Sequence, residues 1–255
     1  MTLLAEINLA APGVITALIT LTVLEIILGV DNIIFISIVS NKLPLEKQKK
    51  ARTIGLLLAM IFRILLLLGI TWLIGLTKPV LTLPFELDGE PLAFSWKDLI
   101  LLAGGLFLIF KSTLEIHHKL DVAKQTSVKK APAAFSAVIL QIVLVDAVFS
   151  FDSILTAIGL VDQVWVMIVA VVISITIMIL FSGYISNFIN KHPTLQILAL
   201  AFLIMIGMLL VAEAFHQHIS KNYVYSAIAF SLVVELINMK LRKNHQQIEI
   251  NNKSL

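Results

Sequence analysis

Glu25-Ile-Ile-Leu-Gly-Val-Asp31-Asn32 lies inside one long apolar run of this chain, and Asp146-Ala-Val-Phe-Ser-Phe-Asp152-Ser153 lies inside another. Each run is long enough to cross the ~30 Å hydrocarbon core of a bilayer, which takes ~20 helical residues. A carboxylate at the bilayer centre costs about 2.5 kcal/mol or more, so intramembrane acids pair with one another, face a cavity or mark an ion or proton path. Two pairs of acids at the same spacing in two spans therefore argue for a functional site.

The composition around these motifs belongs to a polytopic membrane protein. Of 255 residues, 59% are hydrophobic and 14% charged, and the mean hydropathy is +0.99; soluble domains carry about 25% charge. Once spans and short loops are subtracted, no room is left for a separate soluble domain, so function is expected among the helices. The chain has no cysteine. That removes disulfides, Fe–S clusters and thiolate metal sites, and any metal would be held by oxygen or histidine. Met1 to Pro12 holds Glu6 but no Lys or Arg, so it lacks the basic start of a cleavable signal and the first apolar run is expected to stay as a span. A net charge of +3 gives no reason to expect nucleic acid as a partner.

Apolar runs at 14 to 40, 53 to 76, 98 to 116, 134 to 160, 164 to 189, 195 to 215 and 223 to 240 predict seven transmembrane helices. Lys42, Lys47, Lys49, Lys50 and Arg52 follow the first, Lys119, Lys124, Lys129 and Lys130 follow the third, and Lys240, Arg242, Lys243 and Lys253 lie in the tail. The segment from Thr77 to Lys97 is acidic through Glu86, Asp88 and Glu90. Because Lys and Arg collect in cytoplasmic loops, the N-terminus is expected outside and the C-terminus in the cytoplasm.

The polar residues repeat. Glu25, Asp31 and Asn32 recur 121 positions on as Asp146, Asp152 and Ser153, and Glu115 with His118 recur 98 positions on as Glu213 with His216. The shorter offset fits an extra ~20 residues in the first half, at the outside loop 77–97. The fold expected is all-α, with two inverted three-helix repeats at 1–130 and 131–222, and an extra C-terminal helix with a cytoplasmic tail at 223–255. Such repeats place their binding site near the midplane, where they meet.

At ~100° per residue, Glu25 and Asn32 share one stripe with Asp31 beside it, as do Asp146, Ser153 and Asp152. Face to face they offer four carboxylates, an amide oxygen and a hydroxyl, donors that suit Mg²⁺, Ca²⁺ or Mn²⁺. Gly29 and Ser150 are expected to loosen the helices there and free carbonyls as further ligands. Arg63, in the second run, needs an anionic partner, either a central carboxylate or Glu235 of the last run. Three roles are open to it: neutralising the site when it is empty, gating, or structural pairing. Glu115 and His118, like Glu213 and His216, stand at i and i+3 near span ends, where they either receive an ion at each mouth or simply finish the span. Thr20, Thr22, Thr53, Thr71, Ser174 and Thr176 are candidates to line the path, though hydroxyls in spans commonly serve packing. HExxH, GxSxG, Walker and GxGxxG motifs are all absent, so neither enzyme activity nor ATP-driven transport is expected.

Glu25 to Asn32 followed by Ile33-Ile34-Phe35, then Arg52-Thr53 and Gly55 with Arg63, and Phe151-Asp152-Ser153-Ile154 with Ala157, resemble the TerC family of integral membrane proteins from about Val14 to Asn238. The resemblance implies metal-ion homeostasis, chiefly Mn²⁺ export, in a family named for tellurium resistance. It assigns the metal path to Glu25, Asp31, Asn32, Asp146, Asp152 and Ser153. A bacterial inner-membrane secondary transporter follows, with a divalent cation as substrate, protons as the natural exchange ion and no permanent cofactor. The other expectation is a membrane partner that assists assembly or metal loading of exported proteins without transport of its own. Membrane lipids are the certain surroundings; self-association and protein partners stay open.

Overall fold

A computed structural model describes residues 12–87, 90–122, 133–158, 161, 163–217 and 219–253, and the side chains of Asp31 and Asp152 lie outside the described residues. The chain runs α1 (Pro12–Ser40), α2 (Leu45–Leu68), a short α3 (Ile70–Gly75), strands β1 (Pro79–Leu87) and β2 (Glu90–Ser95), then α4 (Trp96–Val122), α5 (Phe135–Ile158), α6 (Val164–Lys191), α7 (Pro193–Ala214) and α8 (Lys221–Lys253). Among the described residues six helices are long and apolar enough to cross a membrane: Gly13–Ser40, Leu45–Leu68, Trp96–Leu120, Val164–Lys191, Pro193–Ala214 and Asn222–Leu241. In α5 the apolar stretch among the described residues is shorter, Phe135–Phe151. Helices dominate because, in lipid, an apolar segment must satisfy its backbone N–H and C=O groups internally.

Local chemistry sets the starts. Ser95 and Asp98 cap α4 reciprocally: the Ser95 backbone N–H donates to Asp98 Oδ2 at 2.8 Å, while the Asp98 N–H donates to Ser95 Oγ at 3.2 Å. This is a capping box with Asp in place of Glu. Pro193 opens α7 at a position where its missing N–H costs nothing.

Four expectations are corrected. The basic segment after the first span is mostly helix, since α2 starts at Leu45 and includes Lys47, Lys49, Lys50 and Arg52; Lys, Glu, Gln and Ala are good helix formers and nothing there breaks a helix. The tail continues α8 to Lys253. The segment at 77–97, expected as a loop, contains an antiparallel hairpin pairing Pro79 with Ser95 and Thr82 with Ala93 in an otherwise helical chain. Finally, α1 and α5 run unbroken through Gly29 and Ser150. Ser150 Oγ donates to the Asp146 carbonyl at 2.6 Å, a back-bond that a continuous helix tolerates.

In the bundle, α1 packs on α6, α2 on α5 and α4 on α7, while α8 packs mainly on α7. Leu21, Phe35, Ile36, Ile142, Ile175, Leu200 and Leu203 are among the core residues joining these pairs. Contacts also define two ends. At one, Asn41 meets Asn190, Lys42 meets Glu115, Lys119 meets Gln196, and the Ala133 N–H donates to the Lys42 carbonyl. At the other, the hairpin and the start of α4 meet the end of α7: Phe94 stacks edge-on against Phe215 at 5.5 Å, and Lys97 pairs with Glu213 at 3.2 Å.

The α4–α7 crossing is set by two glycines. A Cβ on Gly105 would lie 2.6 Å from the Gly207 carbonyl oxygen, and one on Gly207 would lie 2.8 Å from that of Gly105. Small residues let transmembrane backbones approach in this way. Gly105→Ala and Gly207→Ala are each expected to destabilise the fold by about 1–3 kcal/mol through overpacking. Gly183→Ala, with nothing within 4 Å of its Cβ position, should be neutral or slightly stabilising; thermal unfolding in detergent micelles distinguishes the cases.

Candidate functional site

The cluster is built where α1, α2 and α5 meet, from one guanidinium and two carboxylates. Arg63 of α2 donates through Nη1 to Glu25 of α1. It also donates through Nη2 and Nε to the two oxygens of Asp146 of α5, at 2.8 and 3.1 Å. The three residues are only 3%, 4% and 4% exposed. The two-pronged Arg–Asp contact fixes the plane of the carboxylate as well as its place. Of the two partners open to Arg63 in the sequence, it takes the central acids; Glu235 of α8 instead holds a buried Oε1 with no hydrogen-bond partner among the described residues.

Asp146 is the hub. Besides Arg63 it accepts from Asn32 Nδ2 at 3.2 Å and from Ser150 Oγ at 2.9 Å. Asn32 thereby uses its amide nitrogen, leaving its buried Oδ1 without a hydrogen-bond partner among the described residues. A buried, unpaired carbonyl oxygen is costly, and a ligand cation would relieve it. Ser153 is buried on the same helix, its hydroxyl donating to the Ser150 carbonyl at 3.2 Å. Glu25 and Asp146 thus meet on Arg63 and Asn32 on Asp146, while Ser153 lines the same cavity as Arg63. Asp31 and Asp152 sit on the same two helices, with side chains outside the described residues.

A cavity of about 600 Å³ ends on Arg63 and Ser153. Its walls come from Thr20, Val23 and Ile27 of α1, Ile206 of α7 and Tyr225 of α8, which places it toward the end where α1 starts and α7 stops. Of the hydroxyls considered for a path, Thr20 lines this cavity, Ser174 and Thr176 bond carbonyls of their own helix, and Thr22 Oγ1 is buried without a partner among the described residues. Ser150 was legible only as a loosened turn, yet its i+4 spacing from Asp146 is the signal for the bond it makes.

The mouth residues are arranged differently from expectation. Glu115 pairs with Lys42, and His118 remains on α4 with it. Glu213 pairs with Lys97, and His216 Nε2 lies 3.3 Å from Asp98 Oδ2. Glu213 and His216 do not share a helical face, because α7 ends at Ala214 and His216 has φ of 60°. Among the described residues no three His, Asp or Glu side chains are grouped to hold a metal.

The profile of the integral membrane protein TerC family matches residues 10–248. The UPF0053 inner membrane protein YoaE of Escherichia coli strain K12 is 47% identical over 234 residues, covering 91% of this chain and 44% of YoaE. The UPF0053 protein YegH of the same strain is 44% identical over 248 residues, 97% of this chain and 46% of YegH. A UPF0053 protein of Buchnera aphidicola subsp. Schizaphis graminum is 47% identical over 234 residues, 91% of this chain and 44% of its own length. The chain therefore spans about half the length of these relatives. No solved structure matches it significantly.

Because Arg63 is held inside the bundle by two acids, removing it alone strands both. Arg63→Met is expected to cost about 3–5 kcal/mol, whereas the neutral triple variant Glu25→Gln, Arg63→Met, Asp146→Asn should recover most of that loss. Thermal unfolding of the purified variants measures both.

Proposed function

This chain belongs to the TerC family of integral membrane proteins, and we propose that it is a secondary transporter exporting a divalent cation, Mn²⁺ being the metal we assign, in exchange for protons. The observation that carries the proposal is the guanidinium of Arg63 held between carboxylates of two different helices, beside the unpaired Asn32 oxygen and at the end of a cavity. Acids facing each other across helices inside a bilayer require a cation between them. In this arrangement Arg63 supplies it, and a metal ion arriving at the site binds beside it.

Charge then argues for coupling. Glu25, Asp146 and Arg63 together carry formal charge −1 when ionised. A dication brought to them alone leaves a net +1 in the membrane, and ionising one of Asp31 and Asp152 as the metal enters cancels it. Proton release on binding is therefore the natural exchange. Oxygen donors select hard cations over soft ones; the choice of Mn²⁺ among them rests on the family resemblance.

We read α1, α2 and α4 as one unit and α5, α6 and α7 as its inverted copy, giving seven spans with α8 as the extra helix. The reading is supported by α1 on α6 answering α2 on α5, and by the reciprocal approach of Gly105 and Gly207. That crossing relates residues 102 apart, so Glu115 and Glu213, 98 apart, are not equivalent positions. With the N-terminus outside, the cavity opens outward. The similarity to YoaE, named as an inner membrane protein, supports placement in the inner membrane.

The test is ⁵⁴Mn²⁺ flux in proteoliposomes under an imposed pH gradient. Flux should follow the gradient, fall at least ten-fold in Glu25→Gln and Asp146→Asn variants that still unfold cooperatively, and rank Mg²⁺, Ca²⁺, Fe²⁺ and Zn²⁺ as competitors. Wild-type flux no greater than in protein-free liposomes would overturn the proposal in favour of an assembly partner.

A further inference from the structure

α1 is packed unevenly along its length. Ile15, Ile19, Val23 and Ile27, spaced four apart on one face of its first half, are between 48% and 59% exposed, whereas Ile33, Phe35, Ile36, Ile38 and Val39 in its second half are 3% exposed or less. The first half borders the cavity that reaches Arg63. From Ile33 to Val39 the second half is sealed for about 10 Å of helix, at 1.5 Å per residue.

Above this seal, three polar contacts join α1, α2 and α4 to α6 and α7. Asn41 and Asn190 exchange reciprocal amide hydrogen bonds, with Asn190 Nδ2 donating to Asn41 Oδ1 at 3.0 Å. Arg52 Nη1 donates to Ser186 Oγ at 3.2 Å, and Lys119 donates to Gln196. None of the three is an ion pair. Hydrogen bonds between such groups can be exchanged for bonds to water when that end is hydrated. Arg52 is buried with its Nε unpartnered among the described residues, so opening this end would hydrate a group that closure leaves unsatisfied.

We infer that these contacts, Asn41–Asn190, Arg52–Ser186 and Lys119–Gln196, together with the sealed second half of α1, form a gate closed at the end where α1 stops, while the site is open toward the end where α1 starts. The inference rests on the transporter reading. It adds which end is shut and which residues shut it. The opposite state requires these contacts to part, so that Ile33 to Val39 line a water-filled path to Arg63.

The chain has no cysteine, so introduced thiols report without background. In an Asn41→Cys, Asn190→Cys double variant, a short bifunctional thiosulfonate bridging the two positions should lower ⁵⁴Mn²⁺ flux at least ten-fold, and reduction should restore it. In the same background with Ile36→Cys, the third thiol is blocked or left free by the order of labelling. A membrane-impermeant maleimide should label Cys at position 36 from the α1 C-terminal side before cross-linking and several-fold more slowly after it. A Val23→Cys reporter should be unaffected. Flux and position-36 labelling that both ignore the cross-link overturn the gate. If the uncross-linked protein shows no flux while position-36 labelling still depends on the cross-link, the gate stands and the transporter reading fails.

Discussion

The interaction on which the rest depends is the buried guanidinium of Arg63 shared by Glu25 and Asp146. Each charge alone would be prohibitive in the middle of a bundle surrounded by lipid, and together they are tolerable only because the fork of the arginine matches two carboxylates at once. This ties α2 to α1 and α5 at the level of both acidic motifs. It therefore fixes the relative height of the three helices more sharply than apolar packing, which tolerates sliding. Asn32 and Ser150 complete the arrangement by occupying the remaining lone pairs of Asp146.

Helix packing is arranged to leave that cluster in place. Small residues at Gly105 and Gly207 bring α4 and α7 to backbone contact on another side of the bundle, and the pairs of α1 with α6 and of α2 with α5 wall the cluster with branched apolar side chains. A cluster so enclosed can accept an ion only if one wall yields. The cavity between α1, α7 and α8 lies on the loosely packed side, where α8 touches the bundle mainly through α7.

Much of this was legible in the linear chain because membrane segments announce themselves by composition, and because an acid in an apolar run is too costly to be incidental. The failures have physical causes as well. Charge at Lys47 to Arg52 reads as loop although these residues are good helix formers, so the sequence pattern starts α2 too late. The hairpin at 79–95 reads as loop because it carries no long alternating pattern. The i, i+3 spacing of Glu213 and His216 presumes helix, and the helix stops at Ala214 between them.

The sequence by itself determined that this is a multi-span membrane protein, that two acidic motifs lie within its apolar runs, and that Arg63 must find an anion, because hydropathy and the cost of buried charge are properties of residues and not of their arrangement. Only the tertiary structure decided which anions Arg63 takes, that Asn32 turns its nitrogen to Asp146 and leaves its oxygen unpaired, and that one half of α1 is sealed while the other borders a cavity. Those facts depend on how long helices cross and tilt, and crossings are set by side chains far apart in sequence, such as Gly105 against Gly207 or Asn41 against Asn190.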